Sequence, residues 1–160
     1  MRKQLTARAI LAFAILLAAC GGATPAPAAG ATATCVNPKA AHKAYLVVTH
    51  LDGKSVQRCV GFDADQLSGE DLMKQSGVEF QSQTFSFGKG LCQVDNEPAQ
   101  FSECFPKDQP YWSLFIATGT VWTPAQTGYT AVNLKPGEAL GWRYTPATAS
   151  PAPTPAPPKE

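Results

Sequence analysis

The chain has 160 residues, with 13 Lys and Arg against 12 Asp and Glu and a formal net charge of +1. It contains no basic run, which excludes the electrostatic footprint of a nucleic-acid-binding protein. Five cysteines and fourteen prolines point instead to an exported domain with proline-rich ends.

The first element is a leader. Arg2, Lys3 and Arg8 precede an apolar run from Ala9 to Ala19. That run is too short for a transmembrane helix, which needs ~20 apolar residues, and suits a secretory segment. It ends Leu17-Ala18-Ala19-Cys20, followed by Gly21-Gly22, which resembles the bacterial lipobox. On this reading residues 1–19 are a lipoprotein signal peptide, and Cys20 is lipidated and becomes the new N-terminus. The competing reading is an ordinary signal peptide cut near Ala19. Two or three acyl chains would anchor the protein to a membrane of the bacterial cell envelope, on its extracytoplasmic side. Losing the three basic residues of the leader leaves ten Lys and Arg against twelve acids, a mature charge of about −2.

Residues 20–34 form a Gly/Ala/Pro/Thr tether that cannot bury enough apolar surface to fold. The domain proper is expected over residues 35–145. Beyond it, residues 146–160, "PATASPAPTPAPPKE", form a disordered Pro/Ala-rich tail that acts as a spacer and favours extended polyproline II.

Four cysteines remain after Cys20: Cys35, Cys59, Cys92 and Cys104. An even set in an exported chain reads as two disulfides, with three possible connectivities. Cys35–Cys59 would tie the N-terminal lead to the second strand, and Cys92–Cys104 would staple the loop between them. A zinc site is the alternative, but no C-x-x-C pair occurs and no His lies near a pair of cysteines.

Within the domain, "KAYLVVTHL" and "SVQRCVGFD" flank an Asp-Gly turn and predict a β-hairpin. "LSGEDLMKQSG" predicts one short helix. Ser68 is its N-cap with Asp71 three residues on, Leu72 and Met73 face the core, and Gly77 stands at C′. "VEFQSQTFSF" alternates through Val78, Phe80, Phe85 and Phe87 and ends in a turn at Gly88-Lys89-Gly90. "LCQVD" is a short strand. "YWSLFIAT" and "VWTP" form a second hairpin. "YTAVNL" and "ALGWRY" form a third pair about the turn Lys135-Pro136-Gly137-Glu138, whose Pro and Gly positions fit type II. The fold class is therefore α+β, mostly β, with one short helix packed on a sheet and additional hairpins.

No stretch reads as catalytic. His42 and His50 are surface or strand histidines, and His50 near Asp52 has only isolated serines such as Ser55 as nucleophile candidates. Asp63 and Asp65 echo the start of a calcium loop but lack its Gly and terminal Glu. Glu70 and Asp71 are first-turn acids favoured by the helix dipole. The chain is read as a non-enzyme with no metal and no resident cofactor.

The aromatic hairpin is the strongest candidate surface. Alternation puts Trp112, Leu114 and Ile116 on one face, the core. A two-residue loop at Gly119 pairs Trp122 with an odd-numbered residue, so Trp122 joins Tyr111 and Phe115 on the other face. This trio is the expected ligand or partner surface, unless a second layer such as Pro98–Pro110 covers it.

In their order, these elements resemble the C-terminal β domain of transcobalamins and related bacterial surface domains, of the soluble-ligand-binding β-grasp group. The resemblance runs from about Lys43 to Tyr144. It is carried by Leu72 and Ser76-Gly77 of the helix, Cys92 with Val94-Asp95, Tyr111-Trp112, Gly128-Tyr129, Pro136-Gly137-Glu138 and Trp142 to Tyr144. It implies a small β-grasp-like domain that in transcobalamins closes over a corrinoid held mainly by a separate helical domain. No helical partner domain is evident beside it here. The functional expectation is thus a lipid-anchored extracytoplasmic domain that binds a small ligand, for which a corrinoid is one candidate, in concert with an uptake transporter. The alternative is an envelope module that docks on protein or glycan.

Overall fold

A computed structural model of the chain describes residues 35–159. The expected signal peptide, Cys20 and the whole of the expected tether lie outside the described residues. Among the described residues no helix is long and apolar enough to cross a membrane.

The first hairpin forms as its turn chemistry dictates. β1 (His42–Thr49) runs antiparallel to β2 (Ser55–Phe62), and Lys54 N–H donates to the Asp52 carboxylate at 2.9 Å to close the turn. Helix α1 (Gly69–Gln75) follows the two-residue β3 (Leu67–Ser68). Its N-cap is Ser68, whose hydroxyl accepts from Asp71 N–H at 3.0 Å, and Gly77 sits past its end at φ +72°. Leu72 and Met73 are fully buried against the sheet.

β6 (Tyr111–Thr118) and β7 (Val121–Pro124) form the aromatic hairpin, and β9 (Ala139–Thr145) lies between β6 and β1. The sheet order is β2-β1-β9-β6-β7, with β1 and β9 parallel and the other pairs antiparallel. An opening hairpin, a helix, and a final strand slotted parallel beside the first make the domain β-grasp-like, as expected. The even-numbered face packs Leu46, Val48, Trp112, Leu140 and Trp142 under α1 and forms the main core. Both disulfides are present, Cys35–Cys59 and Cys92–Cys104. The first ties the lead to β2, where Val36 also bridges Val60. Two disulfides are characteristic of an oxidising, extracytoplasmic environment.

Three elements depart from the sequence reading. Gly88-Lys89-Gly90 is not a turn: it opens β5 (Gly88–Val94), which pairs with β4 (Phe80–Phe85) across a two-residue turn at Ser86-Phe87. Gly88 still supplies a positive φ, +110°, but as the residue leaving the turn, and the register shift opposite Gln81/Ser82 places the extra residue, Cys92, on β5. "YTAVNL" is not the partner of the last strand either. Tyr129–Ala131 form a 3-10 turn, and β8 (Asn133–Leu134) pairs with β3. The Lys135–Glu138 turn does close, with Glu138 N–H donating to Lys135 C=O, yet it feeds β9 into the sheet centre.

The third departure is the tail, expected to be a disordered spacer. After β9, a turn closed by Ala149 N–H on Pro146 C=O leads into a segment that lies on the odd-numbered face of the sheet. Pro155 is buried there, and Ala156 N–H donates to Thr49 Oγ1 at 3.0 Å. Such a sequence cannot build a core of its own. It can lie on a face that the rest of the chain has already formed, at low entropic cost because proline has few conformations to lose.

Candidate functional site

An aromatic cleft of about 360 Å³ opens between the edge of β6, the start of β5 and the segment after β7. This is within the range of small-molecule sites. Each wall has a local cause. The β4–β5 turn presents Phe87 at its tip. The Cys92–Cys104 bridge holds the next residue, Phe105, against β5, where Gly90 leaves room for its ring: a Cβ on Gly90 would come within 2.6 Å of Phe105 Cζ. β6 contributes Tyr111 and Leu114, β9 contributes Trp142, and the tail adds Ala152. The far wall is Pro124–Gly128, held by Ala125 N–H on Leu114 C=O and by Gly128 N–H on Phe87 C=O.

The rings at the mouth touch in series. Phe85 stacks on Phe87 at 5.2 Å, Phe105 meets Phe85 edge-on at 5.1 Å, and Tyr111 meets Phe105 at 6.4 Å. Phe87 and Phe105 remain 45% and 39% exposed, large apolar rings left to solvent at the rim of a concavity. Polar groups are few. Lys89 is the charged side chain of the lining, and its Nζ donates to Glu70 at 2.9 Å. Lys89 first and Lys74 second hold the Glu70 carboxyl below its usual range. Trp142 Nε1 and Ser113 Oγ, both from lining residues, are buried without a hydrogen-bond partner. Buried polar groups are rarely left unpaired, so each such atom calls for an explanation.

The expected trio divides. Trp122 pairs with Ala117 across a Gly119-Thr120 loop, which puts it on the face opposite Trp112, as the register argument required. Tyr111 is half-buried and lines the cleft. Phe115 also lines it but is only 1% exposed, so it is a wall and not an open surface. Trp122 lies apart, against Tyr45, Cys59, Ala117 and Ala139. Pro98–Pro110 packs at the Tyr111 end, whereas the tail reaches Trp122 through Pro155. Trp112 is buried, its Nε1 donating to Glu97 C=O at 3.0 Å.

Phe87, Phe105 and Trp142 were not grouped with this surface by sequence reading. Gly90 inside a strand was the available signal, because a glycine there often marks a close approach. The ring that approaches comes from a loop whose course depends on the disulfide.

A second polar cluster surrounds His50. Its Nδ1 lies 2.6 Å from Glu97 Oε2 and its Nε2 lies 3.7 Å from Asp95 Oδ2, while its ring meets Trp112 edge-on at 5.7 Å. The two carboxylates occupy opposite ring nitrogens, an arrangement that orients the imidazole and does not converge on one point. Among the described residues no three His, Cys, Asp or Glu side chains form a metal-holding group. His42 packs against Phe62. Asp63 accepts from Ala41 N–H, a structural bond that fixes the lead to β2.

No protein-family profile matches the chain and no curated protein matches it. Among solved structures it is similar to a "putative metal binding protein" from Ruminococcus gnavus ATCC 29149, at 16% identity and a TM-score of 0.48, over 66% of this chain and 97% of that one.

Proposed function

We propose that this protein is a non-enzymatic, extracytoplasmic binding domain, anchored by lipid on Cys20, that holds a small, largely apolar ligand in the aromatic cleft. The observation that carries the reading is a mostly apolar concavity of small-molecule size, rimmed by the exposed rings of Phe87 and Phe105, with Trp142 Nε1, from a lining residue, buried without a partner. Few, well-placed polar groups in an apolar concavity are the usual composition of a ligand site. The ligand would present an apolar or aromatic face to Phe87, Phe105 and Tyr111 and a hydrogen-bond acceptor to Trp142. The one charged side chain of the lining, Lys89, is tied to Glu70, which favours binding over catalysis.

The transcobalamin-like sequence features favour a corrinoid or one of its side groups. A whole corrinoid exceeds the cleft, so only part of it would enter, with the remainder contacting a partner such as an uptake transporter component.

The test is calorimetric titration of the full mature protein with cobalamin, cobinamide and a panel of flat aromatic cofactors. Saturable heat that Phe105→Ala abolishes supports the reading. A flat response to every member at millimolar concentration overturns it. Metabolic labelling with palmitate, lost in Cys20→Ser, tests the anchor separately.

A further inference from the structure

The odd-numbered face of the sheet carries a second built site, and it already has an occupant. At its centre Gly141 leaves a slot on β9: a Cβ there would come within 2.4 Å of the Trp122 ring and 2.8 Å of Pro155 Cγ. Pro155 is buried in this slot beside the indole. From β9 the tail crosses β1, where Ala156 N–H donates to Thr49 Oγ1 at 3.0 Å. It ends over β2, where the Gln57 carboxamide accepts from Lys159 N–H at 2.8 Å and donates to Lys159 C=O. Four residues of polyproline II rise ~12 Å, and two strand spacings measure ~10 Å. A helix would advance only ~6 Å over the same residues. The groove therefore fits an extended chain.

The chemistry of recognition is specific in kind. An apolar ring is gripped by an aromatic side chain over a glycine floor, and the remaining contacts are to backbone N–H and C=O groups. This is how aromatic-lined grooves take proline-rich segments, whose extended form is preorganised. The tail does not satisfy the site fully. Trp122 Nε1 and Arg143 Nε, both from residues of this face, are buried without partners. Unmet donors are costly where water is excluded, so a segment whose carbonyls reach them gains over the resident one.

We propose that this face is a recognition groove for extended proline-rich peptide segments presented in trans, with the chain's own tail as its weaker resident occupant. The proposal does not rest on the cleft being a ligand site.

Two-dimensional NMR of the full chain, read at the Trp122 indole N–H, tests it. The probe is a synthetic peptide of residues 150–160, "SPAPTPAPPKE", with a control in which every proline is alanine. In the wild-type chain the tail competes, so the affinity in trans is lowered by the fraction of molecules whose groove is free. Pro155→Asp, or the milder Pro155→Ala if the first disturbs folding, frees the groove and tightens peptide binding by about tenfold or more. Adding Gln57→Ala to either variant weakens binding again. No movement of the Trp122 signal at millimolar peptide in a folded Pro155 variant overturns the proposal, and so does equal binding of the proline-free control. Failure of the cleft reading would appear at Trp142 and leave these results unchanged.

Discussion

Gly90 shows how one missing side chain can shape a site. Phe105 occupies the space a Cβ would take, and the opposing group is a ring that can swing away, not backbone. Gly90→Ala should therefore leave the fold intact and displace Phe105, weakening ligand binding in the cleft by about tenfold, ~1.4 kcal/mol. Titration calorimetry checks this against a melting temperature that barely moves. Tyr144 illustrates a different residue-level effect. Burial first, and the charge of Glu97 second, hold its phenol above the usual value of 10.0. A raised value means that the fold favours the neutral form. The associated stability is complete below the unfolded value near pH 10 and is lost as pH rises through the folded one. Alkaline denaturation should thus set in later for Tyr144→Phe than for the wild type, as followed by circular dichroism. Side-chain parity was legible at this scale: Trp112 inside and Trp122 on the opposite face follow from a two-residue loop and a period of two. The burial of Phe115 was not, because it depends on contacts made far along the chain.

Elements set by local chemistry were the readable ones. The helix carries its N-cap in Ser68, its buried pair in Leu72 and Met73 and its terminator in Gly77, all within eleven positions. Ser68→Ala should cost about 1 kcal/mol and Met73→Ala, which empties a fully buried site, about 2–5 kcal/mol, both measurable by denaturant unfolding. Elements set by distant partners were not readable. "YTAVNL" has strand composition, but only its last two residues pair, with β3, while β9 is claimed by β1 and β6, and nothing within the segment encodes that choice. Phe87 likewise sits at a turn tip and not on a strand face, because Phe85 pairs directly with Gly88 and leaves Ser86 and Phe87 to make the turn. The Cys92–Cys104 bridge spans 12 positions, and closing such a loop in the unfolded chain accounts for roughly 3 kcal/mol. The double variant Cys92→Ser/Cys104→Ser should lose about that much stability. It should also lose cleft binding beyond what stability explains, since Phe105 is then no longer held to β5.

Across the whole molecule, the α+β, mostly β class was legible in the order of hairpin, helix and strands, whereas the parallel pairing of β1 with β9 was not, because it joins the two ends of the domain. The role of the tail was hidden by its composition, which describes what a segment cannot do alone and not what it can rest on. The result is a small sheet with two distinct surfaces: an aromatic cleft alongside β6 and a face strapped by the tail. The cleft is the proposed ligand site. The direct measurement is the indole N–H signal of Trp142 in the full mature protein, titrated with the corrinoid and aromatic panel. A ligand that enters the cleft should shift that signal saturably, while the signal of Trp122, which lies apart against Tyr45 and Ala139, stays in place. A Trp142 signal that no panel member moves at millimolar concentration would contradict the account.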